Sequence, residues 1–335
     1  MLSHLALPRI FVPHSSLPLL HREIADWYSN NARVLPWREE SATPWAIMVS
    51  EFMLQQTPVV RVLPVWESWM QRWPTPGDLA AEPVAEALKA WGRLGYPRRA
   101  LRLHAAATLI TEEYDGQVPG TEAQLLALPG VGTYTAAAIA CFAFKEPTVV
   151  VDTNIRRVHA RLISGKALPE QNQNAAELAL AARLLPQNTD LANAWNIGVM
   201  ELGALVCTAR SPRCEDCPVI NQCAWIATGR PEPHYVPKGQ PWHGTDRQVR
   251  GAMMAVLRNS SHPVDPANLV GTADLAITGG NTQIGALNRA GDQIHEAWVS
   301  LHSLPADAAQ RERALSSLLK DGLAQQDAAG ISLPA

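Results

Sequence analysis

From Leu19 to about Arg230, apolar residues recur every three or four positions, the spacing that lines them along one side of a helix. The pattern predicts helices over residues 21–30, 45–55, 64–73, 83–91, 98–114, 121–128, 134–144, 153–164, 174–185 and 191–205. In the third, Trp66, Trp69 and Trp73 share a face. Prolines and glycines punctuate the series, among them Pro74, Gly95, Pro97, Pro119, Pro129, Gly130 and Pro186. Only 147–151 reads as a strand, and it is short. The expectation is an all-α domain over 19–230, preceded by a flexible stretch at 1–18. Residues 231–244, rich in Pro and Gly, read as a linker. Beyond it, 245–335 form a smaller module: helix 247–258, a short helix at 266–269, an amphipathic helix at 305–319 and a hairpin within 322–333.

A chain of 335 residues has room for about two domains. With 47% hydrophobic and 18% charged residues it buries a core, which excludes global disorder. Its 28 Lys+Arg against 31 Asp+Glu leave no bulk attraction for nucleic acid, so any such partner must be held by local patches. The longest apolar run, 136–144, is nine residues, against the roughly 20 a membrane helix needs. The opening MLSHLALPRIFVPH lacks the charged and then apolar layout of a signal peptide. A cytoplasmic protein without membrane contact is expected.

Cysteine use is uneven: Cys207, Cys214, Cys217 and Cys223 give C-x6-C-x2-C-x5-C, while Cys141 lies alone in an apolar helix as core. Four thiolates within 17 residues can converge on one centre, and soft ligands select zinc or iron–sulfur. Upstream, LPGVGTYTAAAI at 128–139 turns one helix into the next through Gly130 and Gly132. Such a hairpin aims backbone N–H groups at an anion such as a DNA phosphate, although an ordinary αα corner has the same pattern. Glu51 sits among apolar neighbours in SEFMLQQT, where desolvation favours a protonated acid. Asp152 follows an apolar run and reads as a helix N-cap. Both fit a catalytic pair, and equally a satisfied glutamate beside a cap. Two acid-free basic stretches adjoin these elements: Arg93, Arg98, Arg99, Arg102 and His104 around Tyr96, and Arg156, Arg157, Arg161 and Lys166 after Asp152. Each reads as a solvated face or as a grip on DNA backbone.

In their order along the chain these motifs resemble the endonuclease III superfamily of helix-hairpin-helix DNA glycosylases, over roughly 19–227. LPWR at 35–38, VSEFMLQQT at 49–57 and RLGYPRRA at 93–100 are similar to the A/G-specific adenine glycosylases within it. The resemblance implies two helical lobes flanking a DNA cleft and a [4Fe–4S] cluster on the four clustered cysteines. It makes Glu51 and Asp152 the catalytic acids, with Tyr134 and Asn154 orienting Asp152 and water. Arg38 would line the pocket. Leu54, Gln55 and Gln56 would lie by the extruded base and its gap, and Tyr96 would wedge beside 8-oxoguanine. Arg98 and the hairpin residues Gly130, Val131, Gly132 and Thr133 would contact DNA. Pro97 replaces a second tyrosine found in many members. Lyases of the superfamily carry lysine where this chain has Tyr134, and no lysine lies between Lys89 and Lys145, so a monofunctional glycosylase is implied.

The implied reaction is removal of adenine opposite 8-oxoguanine or guanine in double-stranded DNA, by a monomer associated with the nucleoid. A mismatch thymine or uracil glycosylase is the alternative within the fold. A non-catalytic iron–sulfur DNA-binding or redox-sensing protein is the alternative of another class. The tail is too short for the Nudix-like domain of typical members and lacks its Phe-Ser-His segment. Its element order resembles a winged helix, as in short actinobacterial-type members. With 8 Lys+Arg and 10 Asp+Glu over 231–335 it has little charge for DNA. Lesion reading is therefore expected to rest on the helical domain, so that truncation after Arg230 should keep most of the preference for A:8-oxoguanine over A:G.

Overall fold

The computed structural model describes residues 16–237, 239–271 and 289–335. Most of the expected stretch at 1–18 lies outside them. The described chain is helical: α1 (Leu17–Asn31), α2 (Pro44–Leu54), α3 (Val59–Arg72), α4 (Pro76–Ala80), α5 (Val84–Trp91), α6 (Arg98–Glu113), α7 (Glu122–Leu126), α8 (Thr133–Phe144), α9 (Thr153–Leu162), α10 (Ala175–Leu184), α11 (Thr189–Leu205), α12 (Ala224–Ala227), α13 (Asp246–Asn259), α14 (Pro266–Val270), α15 (Arg289–His302) and α16 (Ala308–Lys320). A hairpin of β1 (Gln325–Asp327) and β2 (Gly330–Ser332) closes it. No described helix is long and apolar enough to cross a membrane.

Four expectations need correction. Helix α1 starts at Leu17, before the expected boundary, because Pro18 in a first turn removes no hydrogen bond. Helix α3 begins a turn earlier than Pro64, which lies inside it. The carbonyl that Pro64 leaves unpaired belongs to Val60, which is 79% exposed and open to water. Residues 147–151 are not a strand: Thr148 N donates to Glu146 O and Thr148 O accepts from the Asn196 side chain, so the two backbone groups a sheet would use are taken elsewhere. Helix α15 was not foreseen, although Ile294, Ala297, Trp298 and Leu301 recur at helical spacing within it.

The chain divides into two compact units that do not follow the expected boundaries: 1–51 with 118–238, and 52–117 with 239–335. In the first, α1 and α9 both pack on α11. Its core gathers Leu20 and Ile24 of α1, Ile155 and Val158 of α9, Leu184 of α10, and Trp195, Val199 and Leu202 of α11. His21 Nε2 donates to Leu184 O (2.8 Å), and the ring meets Trp195 edge-on.

In the second unit, Trp69 packs edge-on against both Trp73 and Trp91 beneath α4–α6. Helix α13 carries Met253, Met254, Val256 and Leu257 into contact with α15 and α16. Val264 exchanges two 2.8 Å backbone bonds with Ile331, adding a one-residue third strand to the hairpin. Gly330 is required there: its φ is +136°, and a Cβ would come 2.6 Å from Val264 O. Helix α13, the Val264 bridge, α14, α15, α16 and the hairpin follow in that order, whereas the expected series was helix, short helix, helix and hairpin.

The C-terminal part shares its unit with α3–α6. Helix α13 touches α5, and Asp321 takes ion pairs from Arg98 (3.3 Å) and Arg250 (2.6 Å). Removing residues 231–335 therefore strips partners from α5 and α6. Thermal denaturation should show the shortened chain melting at least roughly 5 °C below the full chain, about 2 kcal/mol for a domain of this size.

Candidate active site

Helix α2 is apolar on all sides, and Glu51 is buried within it at 7% exposure. Burial pushes the Glu51 carboxyl up to about 7, and the nearby charge of Asp152 adds to the rise. The Tyr134 hydroxyl donates to Glu51 Oε2 at 3.4 Å and, with Arg38, opposes it. Tyr134 was expected to orient Asp152; its hydrogen bond goes to Glu51 instead. Burial raises the phenol well above its usual range, so it stays a neutral donor.

Asp152 is the N-cap of α9. One oxygen accepts from Ile155 N (2.6 Å), the other from the Asn154 amide (2.8 Å). Burial raises its pKa, and these two donors work against that rise. The two acids thus differ in kind. Burial raises both carboxyls, but Glu51 has one long hydrogen bond, whereas Asp152 has two donors that oppose its rise.

Asn154 is held in turn by Arg157 Nη2 (2.8 Å), which also reaches Gly203 O (2.6 Å), while Arg157 Nε donates to Cys207 O (2.8 Å). Gly203 permits this close approach of α11 to α9, because a Cβ there would meet Asn154 Cβ at 2.7 Å. Arg161 donates to Cys207 Sγ (3.4 Å) and to Thr208 O (2.7 Å). Arg156 pairs with Glu177 at 2.7 Å. The basic stretch after Asp152 is therefore turned inward to bind the fold, except for Lys166, and is not a grip on DNA backbone. Buried acceptors and an acid on α10 claim its guanidinium groups first.

In the hairpin, Gly130 takes φ +81° and Val131 N bonds back to Leu128 O. Gly132 is the N-cap of α8 and supplies no side-chain cap; Gly132 and Thr133 are exposed, and no acid lies in the first turn. In the second unit, Leu54 and Gln55 are half-buried and Gln56 is exposed. Tyr96 is 45% exposed, and Arg98 is ion-paired with Asp321.

The four clustered cysteines line one pocket with Val206, Pro212, Ile220, Trp225 and Ile226. A pocket walled by four cysteines suits an iron–sulfur cluster. Burial pushes the Cys217 thiol up to about 12 and raises Cys223, and a bound metal's charge would favour their thiolates. Cys141 is apart, buried in α8 beside Asn193 and Asn196.

Residues 49–183 match the HhH-GPD superfamily of base excision DNA repair proteins. Residues 207–223 match the iron–sulfur binding domain of endonuclease III. The adenine DNA glycosylase of Mycolicibacterium smegmatis is 46% identical over 308 residues, 92% of this chain and 93% of that protein. The chain belongs to the adenine DNA glycosylase family. The Mycobacterium tuberculosis (H37Rv) adenine DNA glycosylase is 45% identical over 89% of this chain and 87% of that protein. A solved thermostable thymine-DNA glycosylase superposes with a TM-score of 0.57 at 28% identity, covering 64% of this chain and 98% of that one. Membership carries a reaction class, hydrolysis of an N-glycosidic bond in DNA, and a [4Fe–4S] cluster that fits the four-cysteine pocket.

Sequence reasoning missed Glu201, which is wholly buried on α11 of this glycosylase. Arg33 forks onto both its oxygens at 2.7 Å, and Arg38 donates at 2.9 Å. Burial alone would raise Glu201, yet these hydrogen bonds hold it down to about 2. Glu201 thereby fixes Arg38, whose Nη1 stays buried without a hydrogen-bond partner. An acid in ELGAL offers no local cue to this, because its partners lie about 165 positions away. Arg157 was visible only as one charge in a basic run.

Iron content tests the metal centre. Cys207→Ser, Cys214→Ser, Cys217→Ser and Cys223→Ser should each lower iron per purified chain, whereas Cys141→Ser should keep the full complement, measured by metal analysis and absorbance in the blue.

Proposed function

We propose that this chain removes adenine mispaired with 8-oxoguanine or guanine from double-stranded DNA by hydrolysis, leaving the backbone intact. It acts as a monomer in the cytoplasm, on the nucleoid. The observation that carries the proposal is the pair of unlike carboxyls, a proton-holding Glu51 and a charge-stabilised Asp152, behind a hairpin with Tyr134 in place of lysine.

Adenine is extruded, because its glycosidic bond is shielded within the stack. Arg38, fixed by Glu201, offers its spare N–H to the pocket. Glu51 gives its proton to adenine N7 as the C1′–N9 bond breaks, and the bonding pair leaves with the base. The sugar is left as an oxocarbenium-like cation, and the Asp152 carboxylate, held by Ile155 N and Asn154, lies ready to stabilise it. Water adds at C1′, and its proton returns to the Glu51 carboxylate. Tyr134 holds Glu51 in place. Without an amine here, no Schiff base forms with the sugar and no strand is cut. The uncapped amides at the start of α8 suit a phosphate. The [4Fe–4S] cluster supplies no step; its loop is braced by Arg157 and Arg161. Gln55, Gln56 and Tyr96 read the mispair.

Excision of base from defined mispairs tests this. Glu51→Gln should lose about 10²–10⁴-fold in adenine excision while still binding an A:8-oxoguanine duplex. Excision within threefold of wild type would refute the acid role, and preferred excision of thymine from G:T would favour the thymine-glycosylase alternative.

The acid role also has a pH signature. Glu51 must be protonated, and its folded-state value is about 7. The limiting single-turnover rate should fall roughly tenfold per unit well above pH 7, and fall again in acid as the Asp152 carboxylate takes up a proton. A rate rising through pH 7 would contradict the assignment.

A further inference from the structure

Arg99 is 6% exposed at the start of α6, yet none of its hydrogen bonds goes to a carboxylate. Its Nη1 donates to three carbonyls at the end of α2: Phe52 O (2.9 Å), Met53 O (3.0 Å) and Gln55 O (2.5 Å). Its Nη2 donates to Thr57 Oγ1 (2.9 Å) and Gly95 O (3.0 Å). The guanidinium lies over the Trp91 ring at 5.1 Å and over the Tyr96 ring at 5.6 Å. Thr57 ties the same two segments directly, donating to Leu94 O at 3.2 Å.

The two segments so joined share a second property. Gln56 has φ +56° and Tyr96 has φ +47°, so each is a non-glycine residue held in the left-handed region. Such residues persist only where their surroundings over-determine them. A cation buried without a counter-ion is costly, and here its charge is answered by the carbonyl end of α2 and by two aromatic faces.

We infer that Arg99 is a positioning residue for mispair discrimination: its buried guanidinium locks the Gln55–Gln56 and Gly95–Tyr96 segments together and so sets how Gln56 and Tyr96 meet the DNA. This rests on the proposal above that those side chains read the mispair. Lysine keeps the charge but cannot span five acceptors from one planar fork.

The test uses the full, iron-loaded chain and single-turnover excision on A:8-oxoguanine and A:G duplexes. Arg99→Lys should lower the ratio of the two rates at least tenfold, with iron content and a cooperative melt retained. A merely structural defect would lower both rates together and leave the ratio unchanged. Tyr96→Ala should also lower the ratio, and the double variant should fall no further than the worse single, since both changes act through one contact. A ratio within twofold of wild type in a folded Arg99→Lys protein, or effects that multiply, overturns the inference. Unchanged ratios in both Tyr96→Ala and Gln56→Ala would instead defeat the reading beneath it, and the inference with it. Should Arg99→Lys not fold, Thr57→Val decides, because it removes one acceptor of Arg99 and the Leu94 link without touching the charge. A threefold or greater loss of ratio supports the inference, and no change overturns it.

Discussion

Buried charge must be answered locally, and the first unit is organised by that demand. A carboxylate moved out of water costs several kcal/mol unless donors replace its hydration. Asp152 meets the demand by capping α9, so that one group both starts a helix and presents a stabilised negative charge. Glu51, in the middle of a helix, has no free backbone donor within reach. Burial therefore pushes its carboxyl up to about 7. The difference between the two acids follows from their places in secondary structure, and the proposed division of labour follows from that difference.

The same demand explains the arginines. Arg33 and Arg38 neutralise Glu201, and Arg157 holds the amide that holds Asp152. Arg157 and Arg161 also reach the backbone and sulfur of the cysteine loop. The support of Asp152 and the loop that bears the metal centre are therefore continuous. Loss of the cluster would loosen the far end of a chain of hydrogen bonds that ends on the Asp152 carboxylate.

In the second unit, exposed side chains rather than buried acids carry the proposed recognition, and holding their backbone is the physical problem. Two left-handed residues sit on loops joined by a single guanidinium. Behind them the C-terminal helices pack on the same unit through Asp321 and α13. The tail is thus part of the framework beneath the loops, whatever it does on DNA.

Local patterns decided much of this protein. The helical series, the N-cap at Asp152, the hairpin glycines, the cysteine spacing and the apolar setting of Glu51 all arise within a few residues of each other, and such signals survive in a linear text. Other features depend on residues far apart in the chain. Glu201 and Arg33, separated by 168 positions, meet only when α11 packs beside the segment after α1. Arg99, Arg157 and Arg161 have the composition of a solvated face, and only the fold shows them buried and bonded to carbonyls. The partition into two units and the absence of a strand at 147–151 were likewise settled by packing, because each turns on which distant partner claims a backbone or apolar group. Sequence determined the elements and the types of reactive group; tertiary structure decided which charges are buried and paired to hold the scaffold, since charge is compensated across space and not along the chain.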